Sequence, residues 1–176
     1  ENGRDVITVD GEDYILLGLS SSDGDGDRSV VVDEKGRFWR GDVTGAIVAE
    51  TLGAEVFVQS LTGNQDVRDY LAACNPPIKV IESSVGSPYH VFIMRMLLRM
   101  NPKLRVYAQE VNGGGFIGPN FILPNGQPID ELMTRCAALP MIIVLLRAVM
   151  DNVPVSKLFE GRLDHYADAA GLIHEM

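Results

Sequence analysis

Apolar and polar positions along this chain follow two periods in turn, and the alternation predicts its elements. DYILLGLS (13–20) and SVVVD (29–33) are short runs rich in aliphatic and β-branched residues, which predict strands on either side of residues 21–28. VTGAIVAETLG (43–53) places Val43, Ile47 and Leu52 near helical spacing, with Asp42 as the expected N-cap and Gly53 as the closing glycine. AEVFVQS (54–60), IKVIES (78–83) and LRVYAQE (104–110) read as strands, and NQDVRDYLAAC (64–74) and SPYHVFIMRMLLRM (87–100) as helices. A last helix is expected over IDELMTRCAALPMIIVLLRAVM (129–150), kinked or restarted near Pro140.

Strands and helices that take turns in this way predict an α/β fold, a three-layer α/β/α domain with a mainly parallel sheet. The first residues yield strands and a turn but no helix, as though they complete an earlier sheet. The expected division is therefore 1–39 as the end of a preceding α/β domain, 40–150 as the main domain, and 151–176 as a linker toward a further domain. Neither a fixed-period repeat nor a low-complexity stretch is visible.

Composition narrows the partners. With 46% hydrophobic and 22% charged residues in 176, the chain has enough apolar material for one main core. Its 24 acidic against 15 basic residues give a net charge of −9 without a basic run, which argues against nucleic acid, where lysines and arginines must neutralise phosphates. The longest apolar stretch, AALPMIIVLLRAVM, is cut by Pro140 and Arg147 and is shorter than the roughly 20 residues of a membrane span. Cys74 and Cys136 are too few for a disulfide framework, and no apolar signal segment opens the sequence, so a cytoplasmic location without membrane contact is expected. His90, His165 and His174 have spacings that suggest neither a metal cluster nor a catalytic dyad.

Candidate chemistry concentrates in SSDGDGDRSV (21–30). In extended or gently turning backbone, Asp23, Asp25 and Asp27 point to one side, and Gly24 and Gly26 let the chain curl around a common point. Three carboxylates so close repel one another unless a cation neutralises them, which suits a hard metal. Magnesium fits best, because it takes a few carboxylates together with water and a phosphate. A solvated acidic turn is the plain alternative. An EF-hand is another, since Asp23, Asp25, Asp27 and Glu34 occupy its first, third, fifth and twelfth positions, but Arg28 stands where its glycine belongs and the flanks are strand-like. The second candidate is YAQEVNGGGFIG (107–118), where Glu110 and Asn112 precede glycines that admit a ligand close to the backbone. An acid and an amide two residues apart suit sugar hydroxyls.

DGDGDRSVVVDEKGRFWRGD resembles the metal-binding loop and following segment of the α-D-phosphohexomutases, the phosphomannomutase and phosphoglucomutase superfamily. The resemblance implies Asp23, Asp25 and Asp27 as magnesium ligands, with Arg28 at the phosphate side. Glu110, Asn112 and Gly113 match the family's sugar-contacting motif of its third domain. SSVGSPYHVFIMR resembles a further segment, with Ser83 and Ser84 near the place of a family lysine or arginine. TRCAALPM resembles another, with Cys136 in place of an aspartate. The likeness runs over about residues 13–165 and implies the end of the second domain plus the third. The family's phosphoserine loop, serine followed by histidine-asparagine-proline, does not occur in the sequence. The implied function is that of a phosphohexomutase fragment carrying the metal loop and sugar recognition and inactive alone, with a hexose phosphate and the other domains of the enzyme as its partners. A non-catalytic phosphosugar-binding or regulatory module is the alternative.

Overall fold

The computed structural model describes residues 6–123, 125–160 and 163. The expected linker from residue 151 lies largely outside them, as do His165 and His174.

The chain opens with a hairpin of β1 (Val6–Val9) and β2 (Glu12–Ile15), turned through Asp10 and Gly11, both at positive φ. Next come β3 (Gly18–Ser22), β4 (Ser29–Asp33) and β5 (Phe38–Trp39), an antiparallel sheet in that order. The run read as one strand over 13–20 is thus broken between Ile15 and Gly18. Gly18 packs against Val155, and the Leu17 carbonyl accepts the Val155 N–H at 2.8 Å, so the chain changes neighbours there.

The central sheet holds β6 (Val56–Ser60), β7 (Lys79–Ser83), β8 (Val106–Gln109), β9 (Gly115–Ile117) and β12 (Leu132–Cys136) in the order β12-β9-β8-β6-β7. Its pairings β6–β7 and β6–β8 are parallel, while β8–β9 and β9–β12 are antiparallel. A small pair, β10 (Phe121–Ile122) and β11 (Pro128–Ile129), lies between β9 and β12 in sequence. The helices are α1 (Gly41–Thr51), α2 (Gln65–Ala72), α3 (Ser87–Met100), α4 (Ala138–Asp151) and α5 (Val155–Phe159). Residues of α1, α2, α4 and α5 share one core with Phe57, Tyr107 and the β4–β5 residues Val31 and Trp39. Met94 of α3 joins Val56, Val58, Val106, Ala108 and Phe116 on the opposite face. The α/β class and the layered arrangement agree with the sequence reading.

Two local expectations are corrected. Residues 129–136 are not the start of a helix: Leu132 and Cys136 pair with Ile117 and Gly115 of β9, and α4 begins only at Ala138. The spacing of Ile129, Leu132, Met133 and Cys136 fits a helix face, but a strand edge distant in sequence captures the segment. Pro140 falls in the first turn of α4, where a missing N–H costs nothing. Asp42 does not cap α1 either. Arg40 holds the N-cap position, and the buried Asp42 carboxylate instead takes two bonds from the Arg40 guanidinium and the Asn64 N–H at 3.0 Å. Gly53 does follow the helix at φ +65°, donating to the Glu50 carbonyl at 3.0 Å.

Candidate metal and sugar site

The acid loop is the tip of the β3–β4 hairpin. Ser22 pairs with Ser29, the Asp23 N–H donates to the Arg28 carbonyl at 3.2 Å, and Gly26 at φ +76° closes the turn onto the Asp23 carbonyl. Strands on both sides exclude the EF-hand. Asp23, Asp25 and Asp27 each bring a carboxylate oxygen within 4.8 Å of the others. The three side chains therefore do converge.

The Arg28 guanidinium lies against all three, in contact with Asp23, 3.3 Å from Asp27 and 3.8 Å from Asp25. Asp23 Oδ2 and Asp27 Oδ1 are shielded from water, and both face Nε of Arg28. Burial pushes the Asp23 carboxyl up, but the Arg28 N–H, the Asp25 side chain and the Arg28 guanidinium outweigh it and hold the group below its ordinary value. An all-oxygen donor set of three converging carboxylates fits a hard cation.

The Glu110 turn faces this loop. After β8 the chain reverses through Val111–Gly114, with the Glu110 N–H donating to the Gly114 carbonyl and the Gly113 N–H to the Glu110 carbonyl, both at 2.9 Å. Gly113 stands at φ +98°, and the Ser29 hydroxyl donates to its carbonyl at 2.9 Å. Gly41 N–H donates to the Val111 carbonyl at 2.9 Å, so both β4 and α1 clamp the turn. Asn112 turns its carbonyl oxygen inward, accepting the Gly114 N–H at 3.2 Å.

Glu110 is 5% exposed. Its carboxylate meets the Ser87 hydroxyl at 3.4 and 3.5 Å and Arg135 Nη1 at 3.8 Å. Arg135 also reaches Asp27 Oδ2 at 2.8 Å through Nη2. It is the only described side chain that ion-pairs with both the acid loop and the Glu110 turn. The sequence reading missed its role, because it placed Arg135 in a helix, and only the strand pairing of β12 turns it toward the site. Gly114 makes room for it, since a Cβ there would lie 2.7 Å from Arg135 Cδ.

Of the segment near the expected lysine or arginine, Ser83 turns its hydroxyl inward to the buried His90, 3.2 Å from Nδ1, and to the Ser84 carbonyl at 3.0 Å. His90 also lies 3.4 Å from Ser60 Oγ and stacks on Phe116. Burial pulls its pKa below the ordinary value, against the Gly86 carbonyl and Glu110, which raise it.

A comparison with models of known protein families finds no match. Against curated proteins, the chain is 32% identical over 164 residues to a phosphomannomutase of Sinorhizobium fredii, covering 88% of this chain and 33% of that protein. It is 29% identical over 171 residues to a phosphomannomutase of Salmonella muenchen, covering 93% and 34%. The chain thus spans about a third of the length of these curated relatives. Among solved structures, a putative phosphomannomutase from Thermus thermophilus superposes with a TM-score of 0.60 at 18% identity, over 81% of this chain and 29% of that one. Aspergillus fumigatus N-acetylphosphoglucosamine mutase, solved with GlcNAc-6P and magnesium, gives 0.61 at 18% identity, over 82% and 35%. The mixed sheet with its flanking helices is therefore the fold of a phosphohexomutase domain. The chain belongs to the α-D-phosphohexomutase superfamily.

Proposed function

We propose that this chain supplies the metal loop and the sugar-recognition surface of a phosphohexomutase that interconverts hexose 1-phosphates and 6-phosphates, and that it is inactive by itself. The observation that carries the reading is the junction of three converging aspartates with a buried glutamate through Arg135. Asp23, Asp25 and Asp27 would hold magnesium. When bound, the ion neutralises charge on the oxygens of a transferring phosphoryl group.

The chain's own side chains bind and orient. Glu110 accepts hydrogen bonds from neighbouring sugar hydroxyls, because Ser87 and Arg135 leave part of its acceptor capacity free. Asn112 keeps its amide N–H groups for a ligand, its oxygen being held by Gly114. Gly113 lets the sugar approach the backbone, and Arg28 meets the phosphate beside the acids. In the whole enzyme the phosphoryl group passes from a phosphoserine, outside this chain, to a hexose monophosphate. The other phosphate of the resulting bisphosphate then returns to the serine. The share of its relatives' length that the chain spans supports the reading as part of a larger enzyme.

Calorimetric titration of magnesium into the chain tests the site. The expected result is weak binding that Asp25→Asn abolishes, because a ligand from the phosphoserine loop is missing. Micromolar affinity that survives Asp25→Asn overturns the assignment.

A further inference from the structure

Among the described residues, α3 alone covers its face of the central sheet. A helix is about 10 Å across and strands lie about 4.8 Å apart, so a single helix covers two to three strands. Here α3 is the only helix among the described residues on that face of a five-stranded sheet. Beside it, toward β12, lies a groove of about 630 Å³ whose wall and floor include Phe92, Met96 and Met133. Ligand sites commonly measure about 300–1,000 Å³ with mostly apolar walls and a few convergent polar groups.

The charged groups here are Arg95, Arg99 and Arg135. Three arginines converge on one groove in a chain of net charge −9. Arg95 and Arg99 stand one turn apart on α3, a spacing at which like charges repel. Neither has an ion-pair partner among the described residues, although Glu131 borders the adjoining hollow. The groove runs into the site already described, since Ser87 and Arg135 line it and also contact Glu110. From Ser87 to Arg99 the helix rises about 18 Å. That is longer than a hexose monophosphate.

We infer that this groove binds the diphosphate of a nucleoside-diphosphate sugar, with the sugar end at Glu110, the phosphates on Arg95 and Arg99, and the base beside them against Met96. The inference rests on the reading of Glu110 as a sugar contact. Guanidinium groups a turn apart suit a diphosphate, which each can grip through two parallel N–H bonds. The exposed thioether of Met96 suits a flat base. A ligand seated so overlaps the hexose phosphate at Glu110 and competes with it.

Calorimetry on the 176-residue chain with UDP-glucose, UDP and glucose 1-phosphate at fixed ionic strength tests this. UDP-glucose and UDP bind, and the double variant Arg95→Gln/Arg99→Gln weakens both by about tenfold or more. Both arginines are exposed, so the variant folds, as its Trp39 fluorescence checks. Glu110→Gln removes the advantage of UDP-glucose over UDP and weakens glucose 1-phosphate. Absence of UDP-glucose binding, or binding that the double variant leaves unchanged, overturns the groove. If the double variant loses UDP while Glu110→Gln leaves UDP-glucose and glucose 1-phosphate unchanged, the diphosphate groove stands and the sugar role of Glu110 falls.

Discussion

Gly113 shows how tightly single residues hold the site. A Cβ at this position would lie 2.2 Å from the Ser29 carbonyl oxygen, and the backbone stands at φ +98°, a region that side chains resist. Neither obstacle can be relieved by a rotamer, because the obstructing atom is backbone of β4. Gly113→Ala should therefore destabilise the protein by at least about 2 kcal/mol, the combined order of backbone strain and overpacking. Urea unfolding followed by Trp39 fluorescence measures it, Trp39 being the one tryptophan and buried against Phe159 at 4.0 Å. A loss under about 0.5 kcal/mol, on the order of an ordinary surface substitution, would show that the turn yields freely. Gly41 meets the steric part of this constraint from the other side, since a Cβ there would sit 2.3 Å from the Glu110 carbonyl oxygen. The glycines were visible in the sequence. Their partners were not.

At the scale of elements, α1 is the hub. It is buried from Gly41 to Ala49, so its apolar character runs around the helix rather than along one stripe. Gly45 sits where α1 crosses β6 and β8, and a Cβ there would lie 2.9 Å from both Gln109 Cβ and Phe57 Cζ. Two effects compete on Gly45→Ala. Helix propensity favours alanine by about 1 kcal/mol. Overpacking against Phe57, itself stacked on Tyr107 at 6.1 Å, costs about 1–3 kcal/mol and wins. The expected outcome is a net loss of about 1 kcal/mol by the same unfolding assay, and a gain would mean that the helix stands further off the sheet. The segment 129–136 teaches the complementary lesson: its apolar spacing satisfies a helix, and β9 makes it a strand.

For the whole molecule, stability below neutral pH turns on His90, where α3, β6, β7 and β9 meet. Burial lowers its folded pKa below the ordinary 6.5. Its contribution is then fully present above 6.5 and is lost as the pH falls from there through the lower folded value, because the unfolded chain takes up the proton first. Glu34 is likewise lowered, burial being outweighed by the Ser156 hydroxyl and N–H, but its loss comes only below its ordinary 4.5. Urea midpoints should thus fall between about pH 7.5 and 5.5, and His90→Gln should flatten that window. An unchanged slope in the variant would place the proton elsewhere. The sequence by itself determined the α/β class, the hairpin that carries Asp23, Asp25 and Asp27, the extent of α3, and Glu110 as the acid of a glycine turn, because period, turn residues and caps are local. Only the tertiary structure decided that 132–136 is a strand, that Asp42 serves Arg40 and Asn64 rather than a helix end, and that Arg135 joins Asp27 to Glu110. Each of those depends on a partner far away in sequence, and no local pattern encodes which distant edge or charge a residue will meet.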